Sequence, residues 1–432
     1  MKVKITLILA FLFIFSMNMN AQEDRAADIQ DANGQKFDFQ TNGWKKTVQA
    51  AKVEKKYIFI QFVTNDCPPC EQLKEEVWTN AKLASIYSKS FLLFSPEEGS
   101  KDAKNLISKY RINSYPTSIF VDASGKIIHK YIGYTSKDVM TEMAENVKNS
   151  INTLQYLDKL YKKEGKRMDP NSLYIYANVL MNAGRDYEKV AKEYLATQSD
   201  DDLHSEHNLV AMMLFTNDMY SREFGFLVKH KDEFEGEKVT NNQITMKIED
   251  VISNSLISAM EASKKVVLKD TLSKTIIFFE IRDPYLIQTR VEMDYYDYIG
   301  TDKDIYFQSL DRYMQLHIRY LSAATISDKV NRIIMENDNK EILSNAIMWV
   351  NEAVMEDMME NEELIIAYIR LLVKDGRYQE ANDMAESLKQ LWIQKGLSEE
   401  ESSLKYDMLM NDIDEGIKRN SESDDGVVVP NR

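Results

Sequence analysis

The sequence predicts an α/β domain in its first third, followed by an all-helical domain. Three observations lead to this prediction. Up to residue 150, apolar runs of strand length alternate with helical segments. From Thr153 on, Pro and Gly are rare and apolar residues recur at helical spacing. The net charge changes at the same place, from +3 over residues 31–150 to −18 over residues 151–432. The predicted organisation is a first domain at 31–150, a helical domain at 151–418 and a disordered polar tail at 419–432.

Composition and charge indicate a globular protein and exclude one class of partner. Hydrophobic residues make up 44% of the 432 residues, which is enough material for two cores. The acidic excess of the helical domain would repel nucleic-acid phosphates, so we expect no nucleic-acid partner.

The N-terminus has the features of a secretory signal peptide over residues 1–21. A short basic segment, Met1–Lys4, precedes the apolar run Ile5–Phe15, and the segment closes at the small residue Ala21. The apolar run is short for a membrane span, although an uncleaved anchor is the alternative. We therefore expect an exported protein, periplasmic or secreted, with no membrane span after cleavage, in a compartment where disulfides form.

The first elements of the α/β domain lead to the only two cysteines of the chain. Apolar residues at helical spacing predict a helix from Trp44 to Lys55. Tyr57–Val63 is a continuous apolar run, as expected for a central strand that is buried on both faces. Polar residues 64–66 end this strand, and the next helix is predicted over Cys67–Val77.

The remaining elements of this domain alternate in the same way. Two strands separated by a turn at Ala123–Lys126 predict a hairpin. The predicted elements are helices at 81–87 and 103–110, strands at 91–94, 117–122 and 127–131, and a closing helix that starts at Ser136 or Lys137. Together they predict a central mixed sheet flanked by helices.

Cys67-Pro68-Pro69-Cys70 carries the chemistry of the sequence. A thiolate attacks a disulfide, and a second nearby thiol is needed to resolve the mixed disulfide that forms. A zinc site normally needs four ligands, and the chain has no second cysteine pair. A structural disulfide across so short a loop would remove little chain entropy. The spacing therefore favours a redox pair, with no cofactor and no metal.

The position of the pair at a helix start assigns different roles to the two cysteines. Cys67 lies at the positive end of the helix dipole, which lowers the pKa of its thiol and favours the nucleophilic thiolate. Cys70, one turn into the helix, is expected to be more buried and to act as the resolving thiol.

The order of elements and four motifs resemble the thioredoxin-like family over about residues 35–150. The motifs are the strand that runs into the cysteines, the segment 110–117 (YRINSYPT), the turn 122–126 (DASGK) and Ile132-Gly133. The resemblance implies that Pro116 is cis and faces the cysteines, next to Thr117. It also implies that the backbone of Tyr115 pairs with an incoming protein segment as an added strand.

The residues around the motif depart from the common pattern of this family. Many members have a buried Asp that serves the proton of the buried thiol, and here that position is Gln61. Asp66 stands where Trp is usual, and its charge, with that of Glu71, opposes thiolate formation at Cys67. Pro68 removes one N–H that could face the sulfur. These departures favour the reducing end of the family's range of potentials.

The helical domain contains units that look like tetratricopeptide repeats. Helices predicted at 172–183 and 187–197 flank a turn at Asn182–Arg185, and a similar pair follows over 207–230. The last unit, 363–391, has Gly376, Tyr378 and Ala381 in the expected register, whereas residues 240–345 show no clear period. The domain could bind a peptide or protein partner, or it could be a spacer or a dimerisation block. His204 and His207 stand near three aspartates, but no third metal ligand is identifiable.

The sequence as a whole predicts an exported thiol–disulfide oxidoreductase that reduces or isomerises protein disulfides. Its expected partners are protein disulfide substrates and an electron donor or acceptor protein that the sequence does not identify. The alternative is an interaction or assembly factor in which the helical domain binds the partner and the α/β domain is a scaffold.

Overall fold

The computed structural model describes residues 36–65, 67–234, 239–263, 268–281, 284–356 and 361–425. The chain forms two compact units, one ending at Phe215 and the other beginning at Thr216. The first unit therefore extends well past residue 150, where the composition changes. The predicted signal peptide at 1–21 lies outside the described residues.

A four-stranded mixed sheet organises the first unit. Its strands are β1 (Tyr57–Phe62), β2 (Phe91–Phe94), β3 (Thr117–Val121) and β4 (Ile127–Ile132). The spatial order is β2-β1-β3-β4, with β1 parallel to β2 and antiparallel to β3, and β3 antiparallel to β4. The predicted central strand and the predicted hairpin are thus both present.

Helices flank this sheet as the sequence predicts. Side-chain caps account for several of the helix starts: Asn80, Ser100 and Ser136 each accept a hydrogen bond from a first-turn backbone N–H. The helices of this part are α1 (Trp44–Glu54), α2 (Pro68–Glu76), α3 (Ala81–Ser90), α4 (Lys101–Tyr110) and α5 (Lys137–Asn149).

β1 is buried on both faces, because alternate residues of the strand belong to two different cores. Phe59 packs on the rings of Tyr87 and Phe120, each at a centroid distance of 4.9 Å, in a cluster that also contains Leu73 of α2. Ile58, Ile60 and Phe62 point into the opposite core, which α1 and α4 cover. Gln61, two residues after Phe59, lies on the face that α2 covers.

Five further helices complete the first unit. The first two of them, α6 and α7, pack against β4. His207 packs in an aromatic cluster with its ring 4.4 Å from that of Tyr174, and the Nδ1 atom of His204 lies 3.1 Å from the carbonyl oxygen of Asp200. These five helices are α6 (Leu154–Glu164), α7 (Pro170–Asn182), α8 (Glu188–Leu195), α9 (Asp200–Leu203) and α10 (Glu206–Phe215).

The described part of the second unit is helical. Towards its C-terminus, alternate helices pack on each other and on the helices between them, but the resemblance to tetratricopeptide repeats stays a prediction. None of the helices described in either unit has the length and apolar content that a membrane span requires. The helices of this unit are α11 (Arg222–His230), α12 (Asn241–Ser263), α13 (Leu268–Phe278), α14 (Pro284–Ile299), α15 (Lys303–His317), α16 (Ala323–Glu336), α17 (Lys340–Glu356), α18 (Glu362–Asp375), α19 (Tyr378–Gln394) and α20 (Glu399–Asp425).

α20 continues past residue 419, where the sequence predicts a disordered tail. Residues 419–425 contain neither Pro nor Gly, so nothing in them interrupts the helical hydrogen bonds. Residues 426–432 lie outside the described part of the chain.

A largely buried ion network joins α12 to α14 in the second unit. The guanidinium of Arg290 lies 2.6 Å from carboxylate oxygens of both Asp250 and Asp294, and it donates a 3.1 Å hydrogen bond to the Tyr313 hydroxyl. Burial lowers the pKa of Arg290, but the charges of Asp294 and Asp250 more than offset this and hold it above its usual value. Further charged residues in the range 240–345, Glu249 and Asp311, also occupy buried positions.

We predict that Arg290→Met destabilises the second unit by about 3–5 kcal/mol, because two buried carboxylates lose their shared counter-ion. Urea unfolding followed by circular dichroism measures this loss. Arg370→Met is the matched control, since Arg370 pairs with Asp412 at the surface and its side chain is 49% exposed. The control is expected to lose less than about 1 kcal/mol. Equal losses in the two variants would contradict the importance of the buried network.

Candidate active site

The two cysteines form a disulfide at the N-terminus of α2. Cys67 is the N-cap residue, with extended backbone, and Pro68 and Pro69 occupy the first helical positions, where no N–H is needed. The Cα atoms of Cys67 and Cys70 are 5.2 Å apart. Cys70 is fully buried, whereas Cys67 keeps 8% of its surface exposed. The less buried sulfur is therefore the one at the helix end, as the sequence predicts.

The Tyr115–Pro116 peptide is cis, as the family resemblance implies. Its loop is held at both ends: the backbone N–H of Gly133 donates to the Pro116 carbonyl at 2.8 Å, and the Thr117 hydroxyl donates to the Ser114 carbonyl at 2.6 Å. Tyr115 is half-buried and packs at the edge of the core that α1 and α4 cover.

Strand register places this loop and the cysteines at one end of the sheet. Thr117 is paired with Phe62 on one side and with Ile132 on the other. The chain leaves Phe62 towards Cys67, enters Thr117 from Pro116, and leaves Ile132 through Gly133. The segment that leads to the disulfide, the cis-proline loop and the segment after β4 are therefore all attached to one row of paired residues, Phe62, Thr117 and Ile132.

Gln61 points to the same face of β1 as Phe59, because the two residues are two apart in the strand. Leu73 of α2 belongs to the same core cluster as Phe59, and Cys70 is the other buried residue of α2. Gln61 is fully buried, and its Oε1 atom accepts a 2.9 Å hydrogen bond from the Ser118 hydroxyl. Its Nε2 atom has no hydrogen-bond partner among the described residues. An amide does not titrate, so this position offers the buried thiol no proton acceptor.

Comparison with protein families decides the class of this fold. Residues 44–148 match the family model of the thioredoxin-like domain. They are a thioredoxin-like domain. The matched segment contains the cysteine pair, the cis-proline and all four strands.

Solved structures of this fold are also similar to the chain, each over about a quarter of its length. One is the solution structure of a proposed disulphide-isomerase from Bacteroides thetaiotaomicron: identity is 22%, coverage is 28% of this chain and 98% of the other, and the TM-score is 0.25. A DsbH oxidoreductase shows 15% identity, 26% and 88% coverage and a TM-score of 0.24. A thioredoxin from Thermus thermophilus shows 17% identity, 25% and 86% coverage and a TM-score of 0.23. No curated protein matches this chain.

Glu98 of the thioredoxin-like domain holds the loop that leads to Cys67. Its carboxylate accepts hydrogen bonds from the Thr64 hydroxyl at 2.6 Å and from the Asn65 backbone N–H at 3.0 Å. These two hydrogen bonds, the first from Thr64, lower the pKa of Glu98. Glu98 is not among the site residues that the sequence predicts. The parallel strands β1 and β2 could have indicated it. Parallel neighbours end at the same edge of a sheet, so the segment after β2, which contains Glu98, lies beside the segment after β1.

Two acidic residues, Asp66 and Glu71, are predicted to oppose the Cys67 thiolate, and the structure describes only Glu71. Glu71 forms a 2.5 Å ion pair with Lys74, which offsets part of its charge. Asp66 lies outside the described residues, so its effect on Cys67 stays a prediction.

His129 has a structural role: it joins β4 to α6. It is 5% exposed on β4, and its Nδ1 atom accepts a 3.2 Å hydrogen bond from the backbone N–H of Leu154, the first residue of α6. Burial lowers the pKa of His129 to about 4. The neutral imidazole therefore caps a helix that lies beyond the family match, and it joins that helix to the sheet.

We predict that His129 makes the first unit less stable in acid. The unfolded chain binds the proton near the ordinary His pKa of about 6.5, whereas the folded protein resists it until about pH 4. Stability therefore falls between these two values, by about 3 kcal/mol at most, and the loss is complete below about pH 4.

Urea unfolding of the wild type and of His129→Asn between pH 7 and pH 4 measures this effect. The variant keeps a hydrogen-bond acceptor but does not titrate, so its stability is expected to fall less with pH. His204→Asn, at an exposed histidine, serves as the control for the same substitution elsewhere in the chain. Parallel curves for His129→Asn and the wild type would contradict the prediction.

Proposed function

We propose that the chain is an exported thiol–disulfide oxidoreductase that reduces or isomerises disulfides of protein clients. One observation carries the proposal: a disulfide at a helix N-terminus shares one end of the sheet with a cis-proline loop. This arrangement supports attack by the less buried sulfur, Cys67, and resolution by the fully buried one, Cys70. The comparisons support the thiol–disulfide chemistry at the level of the fold, over residues 44–148.

The reaction follows from the different surroundings of the two sulfurs. In the reduced protein, the Cys67 thiolate attacks one sulfur of the client disulfide, and the other client sulfur leaves as a thiolate that takes up a proton. Cys70 then loses its proton and attacks the Cys67 sulfur. This step restores the Cys67–Cys70 disulfide and releases the second client thiol, so two electrons pass from the protein to the client.

Isomerisation uses the same first step and a different second one. A thiol of the client attacks the mixed disulfide and forms a new client disulfide, so Cys67 is released reduced. Net reduction consumes the thiols of the protein and needs an electron donor, which we infer to be another thiol–disulfide protein.

The client would be positioned by the cis-proline loop. An extended client segment beside Tyr115 would form backbone hydrogen bonds as an added strand, which suits protein clients better than isolated small disulfides. Export is inferred from residues 1–21 and accords with a chain whose two cysteines are both committed to one disulfide.

We predict that the full-length chain accelerates insulin reduction by dithiothreitol and that Cys67→Ser abolishes the acceleration. Cys70→Ser should instead accumulate mixed disulfides between Cys67 and insulin, visible on non-reducing gels, because the resolving sulfur is lost. Pro68→Ser is the matched control, since it alters the motif without removing a sulfur. Activity that survives Cys67→Ser would support the alternative, in which the thioredoxin-like domain is a scaffold.

A further inference from the structure

The turn between α7 and α8 rests on the last residue of β4. A Cβ atom added to Gly184 would lie 2.7 Å from the Cδ1 atom of Ile132, so the backbone of the turn is in direct contact with this side chain. Gly184 also has a φ of +65°, which favours glycine at this position. α7 itself packs against β4. A helical element beyond the family match therefore reaches the thioredoxin-like sheet at a defined point.

That point borders the proposed client site. Ile132 is paired with Thr117, and the next residue, Gly133, donates its N–H to the Pro116 carbonyl at 2.8 Å. Paired Cα atoms in a sheet are about 5 Å apart, and a side-chain contact adds about as much again. The turn thus begins about 10 Å from the cis-proline, which an extended chain covers in about three residues.

The turn is fixed rather than loosely attached. The backbone N–H groups of Gly184 and Arg185 each donate a 2.9 Å hydrogen bond to carbonyls in the last turn of α7. The Arg185 guanidinium contacts both carboxylate oxygens of Asp158 on α6, at 3.0 and 2.8 Å. The Tyr176 hydroxyl donates to the same carboxylate at 2.6 Å. α6 in turn is joined to the sheet through His129, so the whole hairpin is held beside β4.

We propose that residues 182–187 form one wall of the client site and favour extended polypeptide segments over small disulfides. The proposal rests on the proposed oxidoreductase function and adds its substrate class. A client segment that lies along Tyr115 continues across Ile132 and meets the turn within a few residues. A small disulfide reacts at Cys67 but does not reach the turn, so it gains nothing from the contact. Because the wall is already ordered in the free protein, binding of the client carries little extra entropic cost for ordering it.

Site-specific photocrosslinking in the full-length chain tests this proposal. The chain carries Cys70→Ser and a benzophenone amino acid at position 186, which is exposed in the turn. Two biotinylated probes are compared, a fifteen-residue and a three-residue peptide, each with one cysteine activated by 5-thio-2-nitrobenzoate. The Cys67 thiolate attacks the peptide sulfur, 5-thio-2-nitrobenzoate leaves, and the peptide stays attached as a mixed disulfide. The control places the benzophenone at position 126, which is exposed in the turn at the opposite end of the β3–β4 hairpin.

With both probes attached, we expect the long peptide to crosslink at position 186 at least tenfold more than at position 126. The short peptide should show no such preference. Equal crosslinking at the two positions, or equal crosslinking of the two peptides at position 186, would overturn the proposed wall while leaving the oxidoreductase function intact. If no mixed disulfide forms with either peptide, the oxidoreductase function fails and the proposed wall fails with it. Mass spectrometry of the intact protein reports mixed-disulfide formation separately from crosslinking.

Discussion

The structure of the first unit depends on the pairing of β3 with β1 on one side and β4 on the other. This register aligns Phe62, Thr117 and Ile132 in one row, and the chain leaves or enters the row through the segments that carry the chemistry. The sheet is fixed by aromatic packing around Phe59 and by aliphatic packing on the opposite face. A slip by one residue would turn these side chains to the wrong faces, so the core that stabilises the fold also fixes the site.

The two sulfurs differ in burial and in their position along α2. Cys67 stands at the N-terminus of α2, where the helix dipole favours a negative charge, whereas Cys70 lies one turn further along and is fully buried. Gln61 is anchored by Ser118 and cannot exchange a proton. If Cys70 is the resolving thiol, as we propose, it must therefore lose its proton to an acceptor other than Gln61.

Much of the thioredoxin-like domain could be predicted from sequence, because its signals are local. The apolar run of β1, the cysteine spacing and the Tyr115–Pro116 segment all lie within a few residues of the features they specify. Glu98 could not be assigned in the same way, since its partners are more than thirty residues away and its role depends on two parallel strands ending together. The contact of Gly184 with Ile132 is equally non-local. In the second unit, helices pack through residues far apart in sequence, such as Arg290 and Asp250, so individual helices could be predicted better than their packing.

The central claim is that Cys67 is the attacking sulfur and Cys70 the resolving one. The most direct test reduces the full-length protein, treats it with limiting iodoacetamide at pH 7 and quantifies both modified peptides by mass spectrometry over time. The greater exposure of Cys67 and its place at the helix end predict that it is alkylated at least tenfold faster than Cys70. Faster alkylation of Cys70 would contradict the assignment and reverse the two roles.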